Sequence, residues 1–329
     1  MISTYQLYLA NLNSLNKRMG ELRDNDKANG VWLRVFNGKQ TVDFGVETQS
    51  TYTTIQGGYD SNFGGKDSNF YLGFALSYSN ALSDFSSPNQ AQNSVILSNN
   101  ANGMEAGIYA AYVADSGLYT DTVAKFSFIS NDFKSNKNEN YKPRVLGGTL
   151  SQEVGYRFKL PLNFFIDPQG ELSLGYLGGQ SFTQSADGSF LQTSQDGIFT
   201  LRGRLGVNWG FDFQEFTQDK EMNAKLYLGT YYVGDYIHGG SITFDNLVDF
   251  SDKTNKYSSS GAFLLNVGTN ISLKDHTRLY LDFEKSFGGK IRTDYQVNVG
   301  VRYSFGEKVR QQEATPLPAP QALSEKKSS

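Results

Sequence analysis

Arg34, Glu105, Asp121, Lys125, Glu153, Arg157, Arg202, Arg204, Asp282 and Arg302 stand at alternate positions of segments whose other positions are largely apolar or aromatic. Asp167, Glu171, Asp212, Lys225 and Glu284 follow the same pattern. If these segments are strands, a period of two places the charges on one face. Carboxylates crowded together raise at least one pKa, so such a face offers proton-transfer chemistry. Interleaved with Arg and Lys, it reads first as a solvated, salt-bridged lining without a catalytic purpose. Spacing alone leaves both readings open.

Other chemistries lack their residues. His238 and His276 have no ligand-spaced partners and the chain has no Cys, so no metal site is expected. The pairs Gly57-Gly58, Gly64-Gly65, Gly178-Gly179 and Gly239-Gly240 come without a Walker or dinucleotide fingerprint, and no cofactor is expected. A net charge of -3 without a Lys/Arg run argues against a nucleic-acid partner. Glycines within the strands instead make room for aromatic neighbours.

The elements that must position the charged face are strands. In Tyr295-Gln296-Val297-Asn298-Val299-Gly300-Val301-Arg302-Tyr303-Ser304-Phe305 every odd position is aromatic or Val, and every even position is polar or Gly. A sandwich strand keeps such alternation for five or six residues; this run, with aromatics at both ends, has the height and girdles of a membrane barrel strand. Leu72, Phe74, Leu76 and Tyr78 repeat it, as do Leu201, Leu205, Val207, Trp209 and Phe211. The pattern predicts twelve strands at 30–39, 51–60, 69–79, 103–114, 117–130, 146–160, 164–179, 197–213, 222–236, 258–273, 277–287 and 294–305. The fold class is therefore all-β, an antiparallel transmembrane β-barrel.

Composition agrees. Gly reaches 34, Tyr 20 and Phe 24, while mean hydropathy is only -0.45. No apolar stretch is long enough for a membrane helix, but a barrel strand meets lipid with one face only. Connections alternate in length: 114–117, 160–163 and 274–277 are short, whereas 80–102, 131–145, 180–196 and 237–257 are long and polar. Outer-membrane barrels keep short turns on the periplasmic side and long loops outside. That phase puts Gly30 and Phe305 at the periplasmic face and the long loops at the cell surface.

Ahead of the strands, Leu9, Leu12, Leu15 and Met19 form one stripe at helical spacing, predicting a helix over Tyr5 to Arg23. Its Lys17, Arg18, Glu21 and Arg23 suit a charged lumen. Residues 1–24 thus form a linker and pore helix, 25–305 the barrel, and 306–329, with Pro316-Leu317-Pro318-Ala319-Pro320, an extended periplasmic tail. Met1-Ile2-Ser3-Thr4-Tyr5-Gln6 has no secretory-signal pattern, so the chain is expected to be a segment of a longer precursor.

These residues resemble the C-terminal translocator domain, or β-domain, of the type V secretion autotransporters. The resemblance rests on Leu15-Asn16-Lys17-Arg18-Met19-Gly20-Glu21-Leu22-Arg23-Asp24, on Gly30-Val31-Trp32-Leu33-Arg34-Val35 and on Gly300-Val301-Arg302-Tyr303-Ser304-Phe305. Softer matches are Tyr71 to Tyr78 and Ser286 to Gly289. It implies a twelve-stranded barrel threaded by an α-helix, joined to an upstream passenger domain that it exports and anchors at the cell surface. It also implies insertion into outer-membrane lipid by the barrel-assembly machinery, which reads an aromatic strand like Tyr295, Val297, Val299, Val301, Tyr303 and Phe305. Family members commonly stop at the terminal Phe, whereas here the signal is internal. Some relatives cut the passenger at an Asn-Asn pair before Leu-Asn-Lys-Arg. The matching residues here are Asn13-Ser14, which lack the second Asn, so an uncut passenger is expected. The expected function is an outer-membrane translocator rather than an enzyme. A stand-alone porin or adhesin barrel is the alternative, and a soluble adhesive β-sandwich a third.

Overall fold

The structure is a computed structural model that describes residues 2–11, 22, 25, 27–45, 47–85, 96–135, 140–186, 189–213, 222–245, 251–254, 257–274 and 276–309. Its frame is a closed barrel of twelve antiparallel strands. They are β1 (Lys27–Asp43), β2 (Glu47–Gly64), β3 (Ser68–Phe85), β4 (Ile96–Ala114), β5 (Leu118–Ser135) and β6 (Arg144–Tyr156). They continue with β7 (Phe164–Leu177), β8 (Ile198–Asp212), β9 (Met222–Gly239), β10 (Ser260–Leu273), β11 (Thr277–Phe287) and β12 (Ile291–Lys308). Each pairs with the next in sequence, and β12 returns to β1 with Trp32 opposite Arg302 and Val35 opposite Val299. Closure leaves no edge, so every wall peptide finds its hydrogen bonds within the sheet.

The period-two pattern sets which face is which. On β1 Val31, Leu33 and Val35 are exposed, whereas Trp32, Arg34 and Phe36 are buried inside. On β12 Val297, Val299, Val301, Tyr303 and Phe305 point out, and Gln296, Asn298, Arg302 and Ser304 point in. Interior glycines serve the curvature: a Cβ on Gly300 would lie 2.1 Å from the Tyr280 ring, so this ring fills the space over Gly300.

The strands overrun the lengths that the sequence predicts. β1 and β2 stay paired up to Asp43 opposite Glu47, where 30–39 and 51–60 were expected. Expected lengths follow the apolar band, but backbone pairing continues through Gln40, Thr41, Thr48 and Ser50 because each peptide still needs a partner. At the other end β12 reaches Lys308, opposite Lys27, so Gly306, Glu307 and Lys308 belong to the wall and not to a tail. The expected strand 146–160 stops at Tyr156, and a turn at Pro161–Asn163 follows, with φ of 61° at Leu162 and at Asn163. The stretches 180–196 and 237–257, expected as loops, hold Gln180–Ala186, Ser189–Gln195, Ile242–Asp245 and Ser251–Thr254, which pair into a separate four-stranded sheet. Their Ser, Thr and Gln content reads as loop because no apolar face marks them.

The helix α1 spans Ile2–Ala10, earlier than the predicted Tyr5 to Arg23. Leu12, Leu15, Lys17, Arg18, Met19, Glu21 and Arg23 lie outside the described residues, as do Asn13, Ser14 and residues 310–329.

Candidate functional site: a helix-filled lumen

Residues Ser3 through Ala10 are all buried, so α1 meets the barrel wall on every side and presents no single apolar stripe. It carries no charge, and its polar side chains find wall partners except the Tyr5 hydroxyl, which is buried without a hydrogen bond. Thr4 donates to Asn131 Oδ1 (2.9 Å), and Asn99 donates to Ser3 Oγ (2.9 Å). Gln6 Nε2 donates to the carbonyls of Gln40 and Thr48, and Ser50 donates to Gln6 Oε1 (2.6 Å). Thr149 donates to the Tyr8 hydroxyl (2.9 Å). Past the helix, Thr54 donates to Asn11 Oδ1 (3.0 Å) and Lys125 Nζ to the Asn11 carbonyl (2.6 Å). A neutral helix needs no counter-charge, and each satisfied pair avoids the cost of a buried orphan.

The path of the chain is fixed at both ends of the barrel. Asn99 and Asn131, which hold Ser3 and Thr4, sit near the long-loop ends of β4 and β5. There Tyr257 stands edge-on to Tyr5 (5.9 Å) and packs against Phe44 (5.3 Å), and Gln195 Nε2 donates to its hydroxyl (2.8 Å). Burial pushes the Tyr257 pKa up, so it stays a neutral phenol. At the short-turn end, Asn69 Nδ2 donates to the Asn25 carbonyl (3.0 Å) and Tyr71 to the Leu22 carbonyl (3.3 Å). The segment therefore enters at the long-loop mouth and leaves at the opposite one, where β1 begins.

The fifteen charged residues singled out from the sequence all fall on inward positions of their strands, and most are paired there. Arg204 reaches Glu171 (2.8 Å) and Glu153 (3.2 Å) and lies 4.9 Å from the Tyr231 ring centre. Arg157 binds Asp167 through two nitrogens and lies over Phe165. Lys125 pairs with Glu105 (3.3 Å), which also accepts from Ser127 (2.7 Å). Asp282 accepts from Asn266 and Asn298; Arg34 donates to Gln56 (2.9 Å); Arg202 faces Asp235 (3.5 Å); Lys225 faces Asp212 (3.6 Å). Asp121 and Glu284 are buried on the same face.

Two anchors, Asp60 and Asp235, escape the sequence reading. Arg302, fully buried, grips Asp60 with Nη1 (2.8 Å) and Nη2 (2.6 Å), and Asp60 also accepts from Tyr109 (2.9 Å). Tyr109 in turn accepts from Trp32 Nε1 (2.7 Å), which ties β1, β2, β4 and β12 together. Asp60 and Asp235 stand beside Gly, Tyr and Ser, which read as turn residues, although counting by twos from Gln56 or Lys225 puts both inside. Among the described residues no group of His and carboxylates is placed to hold a metal.

A helix fixed by wall hydrogen bonds inside a closed barrel narrows the comparison with known proteins. The family model for the autotransporter β-domain matches residues 31–284. This chain belongs to that family. It is 32% identical over 310 residues to the serine protease EspC of Escherichia coli O127:H6, and 30% over 311 residues to the Sat serine protease autotransporter of Escherichia coli O6:H1. Each match covers 93% of this chain and 22% of the relative, so the chain spans about a fifth of their length. Among solved structures, the β-domain of the Bordetella autotransporter BrkA has a TM-score of 0.68 at 24% identity, covering 84% of this chain and 100% of that one. The transport unit of AIDA-I from Escherichia coli has 0.66 at 18%, covering 92% and 97%. These two show the fold. The autotransporter β-domain described here is an outer-membrane translocator domain.

Proposed function

We propose that this β-domain exports and anchors a passenger that precedes Met1, and that the passenger stays attached. The observation that supports the reading is the placement of α1, Ile2–Ala10, inside the lumen with Ser3 and Thr4 toward the long-loop mouth, while Leu22 and Asn25 are held at the opposite end where β1 begins. A chain upstream of Ile2 would emerge on the long-loop side. With those loops at the cell surface and Phe305 at the periplasmic face, that side is outside the cell. The protease activity named for EspC and Sat would then reside in passenger sequence and not in the barrel. The charges of the wall fit the same role. Pairs such as Arg204 with Glu153 and Glu171 neutralise one another across strands, so a polar segment can pass without meeting a field of one sign.

Removing residues 1–23 tests the plugged pore. The lumen cavity lined by Leu9, Ala10, Gln40, Tyr52 and Arg202 is only about 50 Å³ with the helix in place. The truncated barrel is expected to show a several-fold higher single-channel conductance in planar bilayers, since a polar lumen this wide conducts once cleared. Unchanged conductance would sink the plug.

Attachment is tested separately. A short fusion placed before Met1 is expected to remain at full mass on a denaturing gel while the barrel is folded and heat-modifiable. Asn13 followed by Ser14, in place of a second Asn, supports an uncut junction. Loss of the fusion's mass from the folded species would reverse that part of the proposal and leave export intact.

A further inference from the structure

The outward apolar wall is far from level around the barrel. On β1 it consists of Val31, Leu33 and Val35, and the next outward residues are Asn37 and Lys39; on β2 Tyr59, Gly57 and Ile55 are followed by Thr53 and Thr51. On the far side β7 is apolar, Gly or Pro outward from Phe164 to Tyr176, and β8 from Phe199 to Phe211. With about 3.3 Å per residue and the usual strand tilt near 40°, the β1 stretch covers about 10 Å of height and the β8 stretch about 30 Å. A membrane barrel ordinarily shows a band of about 25 Å.

The register puts both walls on one scale. The row that starts at Asn29 near the foot of β1 runs through Ser61, Leu72, Ala110, Thr122, Gln152 and Leu172 to Gly203, in the upper part of β8. It climbs about 3 Å per strand, or about 21 Å over seven steps, which equals eight residues along β1. Asn37 therefore stands level with Gly203, and Val31 level with Trp209. At that shared height the far wall offers lipid Leu201 and Leu205. The near wall offers Asn37, whose amide donates to Thr53 Oγ1 (2.9 Å) and whose Oδ1 accepts from Tyr295 (3.4 Å). Just above it stands Lys39, opposite Tyr295 and Thr51. Lys285 points outward on β11 beside them, 5.8 Å from the Phe287 ring centre. Neither lysine is ion-paired with a described residue.

We propose that the barrel thins the bilayer at β1 and β2, drawing lipid headgroup phosphates down to the level of Asn37, Thr53, Lys39 and the nearby Lys285. The occupant of this face is a shortened outer leaflet. Lipid tails deform at modest cost per ångström, whereas a lysine and two hydrogen-bonding side chains held in hydrocarbon do not come cheaply. The two outward lysines supply the charge complement to phosphate, and Tyr295 is an interfacial aromatic at the same level. Thinning at the seam where β1 meets β12 lowers the barrier to lipid movement beside the strand pair that closes the barrel. The inference rests on the outer-membrane placement, and its test separates the two.

The chain has no cysteine, so single labels need no background changes. Nitroxides would be placed at Asn37→Cys and Gly203→Cys, and at the lower pair Val31→Cys and Trp209→Cys, in full chains refolded into dioleoyl phosphatidylcholine vesicles. A Cβ at Gly203 meets nothing within 4 Å, so a side chain fits there. The expected result is a nickel-chelate to oxygen accessibility ratio about fivefold or more higher at 37 than at 203, with 31 and 209 alike. Equal, oxygen-rich readings at 37 and 203 overturn the thinning but keep the membrane placement. A difference of the same sense at both pairs means a tilted barrel and also overturns it. Nickel-rich readings at all four sites overturn the placement itself.

Discussion

Asp60→Ala is expected to cost about 3–5 kcal/mol of barrel stability, the size seen when one partner of a buried ion pair is removed. Both groups of the pair have no exposed side-chain surface, and the guanidinium of Arg302 directs two nitrogens at this carboxylate. Without it Arg302 keeps, among the described residues, Ser304 Oγ (3.3 Å) and the Tyr71 ring face (5.7 Å), while Tyr109 loses its hydrogen bond to Asp60. The readout is the urea midpoint of the folded, heat-modifiable band. The double variant Asp60→Leu with Arg302→Met should recover most of the loss, because it removes the orphaned charge as well as the bond. Asp196→Ala is the matched control: its pair with Lys253 leaves both side chains more than half exposed, so at most about 1 kcal/mol is at stake. A midpoint for Asp60→Ala no lower than that of the control would show that Arg302 finds another partner and that the pair does not hold β12 to β2 across β1.

How much of this was legible in the sequence depends on whether one face of an element differs from the other. Wall strands have one face against lipid and one against a polar interior, so alternation exposes them, and Arg302, Arg204 or Glu153 can be assigned inward by counting. The pore helix has no such contrast. Tyr5, Gln6, Leu7 and Tyr8 are buried on all sides, so helical spacing marks only Leu9 of the described helix as part of a stripe with Leu12, Leu15 and Met19. The four-stranded sheet at the long-loop end fails for the converse reason, since Ser251–Thr254 is polar throughout and largely exposed. Its strands are held by backbone pairing, which side-chain patterning does not encode. Strand ends share this difficulty: a ladder runs on past the apolar band wherever backbone groups still face each other, as at Gly306 to Lys308.

The charge expectation for the helix illustrates a second limit. Lys17, Arg18, Glu21 and Arg23 suggest a helix tied to the wall by ion pairs. Those four residues lie outside the described ones; the described helix, Ile2–Ala10, carries no charge and is held by neutral amides and hydroxyls, while the wall charges largely satisfy one another. Sequence gives the charges but not the partition, because pairing across strands depends on register. Glu153 and Glu171 face each other on β6 and β7, close enough for one Arg204 to serve both. A one-residue slip would send either carboxylate to the lipid face.

The other large effect is expected at the terminal strand. Phe305→Ala should lower outer-membrane insertion about tenfold or more, since truncating an exposed aromatic removes about 1.5–3 kcal/mol of apolar contact at the site that an assembly factor would grip, and 1.4 kcal/mol is a factor of ten. Phe305 stacks on Tyr303 (6.1 Å) and faces outward, so its loss leaves the lumen and the Arg302 anchor untouched. A fall in insertion would then report recognition and not a damaged interior, which refolding of the same variant into detergent can verify. The chain beyond Phe305 bears on how that recognition works. Lys308 is paired with Lys27, and Val309 packs close to Gly64, so the residues just after the aromatic are fixed against the wall. An assembly factor that reads the outward row Tyr295, Val297, Val299, Val301, Tyr303 and Phe305 from the side has no need of a free terminus. The loss on Phe305→Ala is therefore expected to be equal in the full chain and in one ended after Lys308. Wild-type insertion of Phe305→Ala at both lengths would remove Phe305 from the signal, and a loss seen only in the shortened chain would transfer it to residues 309–329.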